Sequence, residues 1–161
     1  MGLPDIVIEF TKKAVATIAV GTGGLVGIII KDAKCNGSHV LKSVDSIPAD
    51  LTADNKAYIE RAFLGAPKAV HVCVLPEAAT DYSAAYKYFA NKRINYICGD
   101  PAITKELATN LSTWVKGKRK AGKIHPVAVV SDVVANDKGT VNFCLVGGDK
   151  LSVGDTQYTP A

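Results

Sequence analysis

Three short apolar runs, separated by stretches with helical spacing, constrain the fold of this chain more than any other feature. They are Lys68–Leu75, Ile94–Cys98 and Val127–Val134. Each run has the length of a β-strand and few polar side chains that could face water, which is typical of strands buried on both faces. Strands that alternate with helices indicate an α/β fold, in which a parallel or mixed sheet carries helices on both faces.

The stretches between the apolar runs begin with residues suited to the helix N-cap. The predicted helices are Ala53–Leu64 after the N-cap Thr52, a second from Thr80 or Asp81 to about Lys92, and a third that follows Asp100 and Pro101. Thr and Asp side chains accept hydrogen bonds from the free N–H groups of a first helical turn. Proline is tolerated at the first helical position. We therefore expect Asp100 to be the N-cap of the third helix.

The sequence pattern at the extreme N-terminus predicts a separate β-strand over Leu3–Phe10, in which side chains alternate between two faces. Side chains two residues apart point the same way in a strand, so Ile6, Ile8 and Phe10 share one face. Pro4 cannot donate to a ladder, which restricts it to a strand start or an edge. Such a strand either closes the edge of the chain's own sheet or adds to the sheet edge of another molecule.

Further β segments are expected near both ends of the chain. Val15–Val20 and Leu25–Ile30 are β-branched runs around a glycine-rich turn, and Asp32–Leu51 carries the turn residues of an exposed loop. The predicted units, in chain order, are residues 1–20 as an N-terminal extended arm with the first strands, 21–135 as the α/β domain, and 136–161 as a β-rich segment.

Length and composition limit the possible classes of protein. A chain of 161 residues fits one domain, and it has no uninterrupted apolar run of membrane-spanning length. Asp5 and Glu9 stand where a signal peptide needs basic or apolar residues, so we expect a cytoplasmic origin. The cysteines lack the spacing of metal ligands and are expected to be buried free thiols: Cys35, Cys73, Cys98 and Cys144. We expect neither a metal nor a cofactor.

A catalytic or ligand site of this fold class would occupy the loops at the carboxyl ends of the strands. The polar residues there are Glu77 after Pro76, Asp100 after Gly99, and Asp132 after Ser131. A lone carboxylate in such a loop is more typical of a helix cap than of a catalytic group. The sequence therefore favours a protein that is not an enzyme. The alternative is a cytoplasmic α/β enzyme or small-ligand-binding domain that uses these loops.

Two other sets of residues could carry chemistry. The histidines stand alone in the sequence, without the paired spacing of metal ligands: His39, His71 and His125. A basic cluster lies near residue 120: Lys116, Lys118, Arg119, Lys120 and Lys123. Cations complement the dipole at a helix C-terminus, no aromatic residues interleave with these, and the net charge is only +4. A solvated helix end or a charged protein contact is favoured over nucleic-acid binding.

Scattered motifs, taken in order along the chain, give a resemblance to a known family. They are Gly2-Leu3-Pro4 with Ile6, Ile8 and Phe10, Gly27-Ile28, Lys31-Asp32, Ile47-Pro48, Asp50-Leu51, Asn55-Lys56, Tyr58-Ile59, Leu64-Gly65, Val141-Asn142-Phe143, Gly154-Asp155 and Tyr158-Thr159. In this order they resemble the N-terminal portion of a contractile tail sheath protein, as found in myophages, prophage-derived tails and R-type bacteriocins of Gram-positive bacteria.

The resemblance implies a structural subunit that polymerises helically around a tail tube and contracts to drive it through a target envelope. Sheath proteins use an N-terminal arm that pairs with strands of neighbouring subunits, alongside a C-terminal arm. By this resemblance the subunit-interaction residues are Leu3, Pro4, Ile6, Ile8 and Phe10.

The same resemblance implies the partners and the location. The partners would be neighbouring sheath subunits, the tail tube protein, and the baseplate and tail terminator proteins, with no nucleic acid and no membrane. The protein would lie in the bacterial host cytoplasm during assembly, and then in the virion tail or a released bacteriocin particle. Sheath proteins continue well beyond this length, so we expect the chain to be truncated before further domains.

Overall fold

A computed structural model describes residues 23–122, 124–131, 133, 137–143, 151–153 and 156–158 of the chain. The strands are β1 (Leu25–Asp32), β2 (Gly37–Leu41), β3 (Ala69–Pro76), β4 (Tyr96–Cys98), β5 (Val127–Ser131), β6 (Thr140–Phe143), β7 (Leu151–Val153) and β8 (Thr156–Tyr158). The helices are α1 (Ala53–Leu64), α2 (Ser83–Phe89) and α3 (Lys105–Lys120), with a 3-10 turn at Val44–Ser46.

The sheet is mixed and six-stranded, in the order β2-β3-β1-β4-β5-β6. β1 is central, because it pairs in parallel with β3 along its whole length and with β4 on its other side. β5 and β6 extend the parallel part, whereas β2 runs antiparallel to β3 at the opposite edge. β7 and β8 form a separate antiparallel hairpin.

The helices lie on both faces of the sheet, which confirms the predicted fold class. On one face Ile59 of α1 packs among side chains of β1 and β3 such as Ile30 and Val72. On the other face Phe89 of α2 and Leu111 of α3 join a second core cluster. Right-handed crossovers explain this placement, because the chain moves from β1 to β3 in one direction and through β4 to β5 in the other. Within the described ranges, no helix has the length and apolarity needed to cross a bilayer.

The elements with the strongest local patterns form where they were predicted. α1 spans Ala53–Leu64 with Thr52 at the N-cap position, and the run at Lys68–Leu75 becomes β3, shifted by one residue. Cys35 and Cys73 are buried free thiols, as expected, whereas Cys98 is a free thiol that is only partly buried and Cys144 lies outside the described residues. The predicted N-terminal strands, Leu3–Phe10 and Val15–Val20, lie outside the described residues.

The prediction of an exposed loop over Asp32–Leu51 is wrong. This stretch contains β2, and Asp32, Leu41 and Leu51 are buried. Gly37 has a φ of +113°, a left-handed conformation that glycine adopts at low cost, and it starts the edge strand that returns along β3. The hydrogen bonds that hold β2 come from β3, 29 to 37 residues away along the chain, so a local pattern does not reveal them.

The start of the third helix also differs from the prediction. α3 begins at Lys105, and its N-cap is Thr104, whose hydroxyl oxygen accepts the Leu107 N–H at 3.3 Å. Asp100 lies before the helix and takes part in a tertiary contact instead. The second helix is shorter than predicted, since α2 covers only Ser83–Phe89.

Candidate functional site

The strongest candidate for a site is a cleft at the carboxyl ends of β1 and β4. These strands lie side by side, but the chain leaves them in opposite directions, through α1 to β3 and through α3 to β5. Ligands of open α/β sheets bind at such a switch point. Asp32 ends β1, Asp100 follows β4, and both line a cleft of about 510 Å³.

Asp32 is almost fully buried and accepts hydrogen bonds from the protein itself. Its Oδ1 accepts the N–H groups of Lys34 (2.8 Å) and Cys35 (3.2 Å). Its Oδ2 accepts the Thr52 N–H (2.9 Å), the Thr52 hydroxyl (2.7 Å) and the Asn55 side-chain amide (2.7 Å). Burial alone would raise the pKa of this carboxyl, but the hydrogen bonds from Asn55, Thr52 and Lys34 outweigh it and hold the pKa below its usual range.

These bonds join the end of β1 to the start of α1. The Thr52 side chain makes no cap hydrogen bond within α1, because its hydroxyl is used by Asp32. Asn55 also donates to the carbonyl of Lys31 at 2.8 Å, so its amide bridges strand and carboxylate. We name the side chains of Asp32, Thr52 and Asn55 the Asp32 network. The Asp32 carboxylate thus accepts hydrogen bonds from five donors, and its chemical role is to hold β1 and α1 together.

Asp100 has a comparable role on the other wall of the cleft. It is buried, and its Oδ2 accepts the hydroxyl of Tyr82 at 2.9 Å. The Tyr58 hydroxyl donates to the carbonyl of Gly99 at 3.0 Å, which fixes the same loop from α1. Burial raises the pKa of both phenols well above the usual range, and for Tyr82 the charge of Asp100 adds to the effect. Both phenols are therefore fixed as neutral hydrogen-bond donors near neutral pH.

The predicted site residues are only partly brought together. Glu77 and Asp100 both line the cleft, Ser131 is not among its lining residues, and Asp132 lies outside the described residues. Among the residues that the structure describes, no three His, Cys, Asp or Glu side chains are grouped to hold a metal ion. His71 contacts the Tyr88 hydroxyl at 3.4 Å, and burial lowers its pKa, as is typical of a histidine in a sheet.

The Asp32 network was missed by sequence reasoning, although a signal exists. An aspartate ends a buried apolar run, and a Thr-x-x-Asn sequence then opens an amphipathic helix. Of the residues that carry the tail sheath resemblance, Asp32 and Asn55 are joined by a hydrogen bond, and Tyr58 donates to the carbonyl of Gly99. These motifs therefore mark structural contacts.

The basic cluster lies at the C-terminal end of α3, as predicted. Lys118, Arg119 and Lys120 are in its last turn, where they complement the helix dipole. Arg119 forms an ion pair with Asp137, and Lys118 donates to the carbonyl of Ala90 at 3.1 Å. Lys123 lies outside the described residues.

The two outer strands of the sheet, β2 and β6, each have one neighbour among the described strands. An edge of this kind can accept a strand from another molecule. On β6, Val141 and Phe143 are about half exposed. The residues predicted to supply an added strand lie outside the described residues: Leu3, Pro4, Ile6, Ile8 and Phe10.

Comparison with known proteins supports the resemblance found in the sequence. The chain matches no protein-family model. It is similar to a protein of Clostridium phage phiCD119 named "Tail sheath protein", with 31% identity over 162 aligned positions. The match covers 94% of this chain and 45% of the relative, so the chain spans about half the length of that protein. The predicted resemblance to a tail sheath protein is thereby confirmed.

Proposed function

Because the chain is similar to a phage tail sheath protein over nearly its whole length, we propose that it is the N-terminal portion of a sheath subunit with a structural role in a phage-like tail. That similarity is the observation that carries the proposal. In this proposal the subunit polymerises helically around a tail tube and contracts, using energy stored when the subunits assemble. Contraction then depends on contacts that differ between the extended and contracted states.

The N-terminal arm is the proposed link between subunits. Ile6, Ile8 and Phe10 anchor Leu3–Phe10 along a sheet edge of a neighbour, with Leu3 and Pro4 at the strand start. Each fully buried aliphatic or aromatic side chain contributes about 1.5–3 kcal/mol, so three contribute at most about 5–9 kcal/mol before the cost of ordering the arm. In a repeating filament this is enough to keep subunits linked.

The proposed units are residues 1–20 as the arm, 21–135 as the α/β sheath domain and 136–161 as a β-rich segment. The proposed partners are other sheath subunits, the tail tube, the baseplate and the tail terminator. The protein would assemble in the host cytoplasm and end in the tail of a virion or a bacteriocin particle. The Asp32 network supports a structural role, since its carboxylate is committed to internal hydrogen bonds.

The test is negative-stain electron microscopy of the natural gene product that contains this chain. We expect hollow striated tubes or rings, and we expect the Ile8→Asp variant to form none, because its carboxylate would face the neighbour's core. Val7→Asp is the matched control, since residue 7 points to the other face of the same strand. Tubes that still form from the Ile8→Asp variant would refute the proposed role of the arm. Globular particles from the unaltered protein would refute the proposal that it is a sheath subunit.

The cleft of about 510 Å³ keeps one alternative open, a small-ligand-binding or enzymatic domain. Equilibrium dialysis of the same protein against nucleotides tests it. Saturable binding that is lost in the Glu77→Ala variant at the cleft mouth, together with globular particles in the microscope, would favour this alternative over the sheath.

A further inference from the structure

One half of one sheet face lacks a covering layer in the described part of the chain. Register places Cys98 of β4, Val129 of β5 and Val141 of β6 side by side across the sheet. Residues paired in parallel strands share a face, so these three point to the side that carries α1. We name this surface, with Tyr96 and Phe143, the bare half-face.

The exposure of the bare half-face contrasts with the opposite side of the same strands. Tyr96 is 50% exposed, Val129 37%, Val141 50% and Phe143 51%. The residues that alternate with them, such as Ile97, Ala128 and Val130, are buried in the core beside α3. Parallel strands are almost always covered on both faces. A row of apolar side chains across three strands is therefore left uncovered by the described residues.

A groove beside α1 opens onto the bare half-face. It has a volume of about 340 Å³ and runs between α1, at Tyr58 and Ala62, and the strands, at Tyr96 and Val129. Three strands about 4.8 Å apart span roughly the 10 Å diameter of a helix with its side chains. α2 and α3 are already packed on the opposite face.

We propose that the bare half-face binds an amphipathic helix from the part of the sheath subunit outside this chain. The proposal rests on the proposed function. The curated sheath relative has 55% of its length outside the match, since 45% is covered, which is ample chain for such a helix. Helices, rather than strands, cover the faces of parallel sheets in α/β domains. The helix lies alongside α1 and presents aliphatic side chains to Val129 and Val141.

The chain offers a matched pair of positions for the test. Val141 and Val40 are both valines on edge strands, and both are 50% exposed. Val40 pairs with His71, which faces α2, so it points to the opposite side of the sheet. Val141→Cys and Val40→Cys are made in the 161-residue chain and in the natural gene product, kept as unassembled subunits. The rate of maleimide labelling is read by peptide mass mapping, which separates the introduced thiols from the native ones.

We expect both introduced thiols to react at similar rates in the 161-residue chain. In the gene product, the thiol at position 141 should react at least about ten times more slowly than it does in the 161-residue chain, because a packed helix would cover it. The labelling rate of the thiol at position 40 should be the same in both proteins. As a second measurement, Val141→Asp should lower the Tm of the gene product by at least about 5 °C more than Val40→Asp does.

Other occupants of the bare half-face give different results, and each overturns the proposal. Slow labelling of the thiol at position 141 in the 161-residue chain would show that residues of this chain itself cover the bare half-face. Protection that rises with concentration, together with a dimer in sedimentation, would assign it to a second copy. Equal labelling in the unassembled gene product, or a gene product with no further residues, would also exclude the helix. Tube formation by the unaltered gene product is measured separately, so the proposed sheath function and the proposed helix can be refuted independently of each other.

Discussion

The replacement Asp32→Asn tests whether the Asp32 network holds the sheet to α1. In the native protein Oδ2 accepts three hydrogen bonds, from the Thr52 N–H, the Thr52 hydroxyl and the Asn55 amide. An asparagine with its oxygen toward Lys34 and Cys35 would turn an N–H₂ group toward those three donors. Each hydrogen bond to a charged group contributes about 1.5–3 kcal/mol, and two or more are lost without being fully additive. We expect unfolding to require about 3–5 kcal/mol less at pH 7.

The loss of stability in Asp32→Asn should also depend on pH, which gives a second, independent test of the prediction. The folded pKa of Asp32 lies below its usual range, whereas the unfolded pKa is about 3.9. The native state therefore binds fewer protons, and the stabilisation is complete above about pH 5 and is lost as the pH falls below about 4. Asparagine does not titrate there. The unaltered protein should thus lose part of its advantage over Asp32→Asn at low pH. The difference in their unfolding free energies should be smaller at pH 3 than at pH 7 by on the order of 1 kcal/mol.

The assay is urea unfolding followed by far-UV circular dichroism at both pH values. Asp54→Asn is the control, because Asp54 lines the same cleft but is exposed, and its replacement should cost less than about 1 kcal/mol. An Asp32→Asn variant as stable as Asp54→Asn, or a deficit equal at pH 3 and pH 7, would refute the reasoning.

Three further predictions concern the residues around the helices. Tyr82→Phe removes the hydroxyl that donates to the buried Asp100, and should cost about 1.5–3 kcal/mol in urea unfolding. Thr104→Ala removes the N-cap of α3 and should cost about 1 kcal/mol, whereas Thr113→Ala, at an exposed site within the helix, should cost less than half of that in the same assay. Burial raises the pKa of Tyr86 to about 12, so the 295 nm absorbance difference between the unaltered protein and a Tyr86→Phe variant should not develop before about pH 11. Ionisation at pH 10 in the folded state would show that the ring is solvated.

Sequence patterns predicted the elements whose signals are local. α1 has its apolar side chains at helical spacing and a glycine at its end, and β3 is a continuous apolar run, so both were found within one residue. The N-cap role of Asp100 was wrong because the Tyr82 hydroxyl, 18 positions away, takes that carboxylate. β2 was missed because an edge strand with exposed polar residues has no apolar run, and its stability comes from pairing with β3.

The candidate site was less accessible to sequence reasoning than the fold. Glu77 and Asp100 could be placed at the strand ends, because the carboxyl ends of parallel strands meet at one edge. That Asp32 and Asn55 meet depends on how α1 packs against β1, and no local pattern contains that distance. The bare half-face required the strand order, since only the register aligns Val129 with Val141.

The central position of β1 has a mechanical consequence. A pull that reaches the described domain along the chain from residues 1–22 enters it at Leu25, the first residue of β1, and acts along that strand. β1 is hydrogen-bonded to β3 over eight residue pairs and to β4 on its other side, so such a load shears these ladders in parallel instead of opening them one bond at a time. A load at β6 would instead peel a short outer strand from β5 alone. Tension through the N-terminal side is therefore resisted by two ladders, whereas a load on β6 is resisted by one.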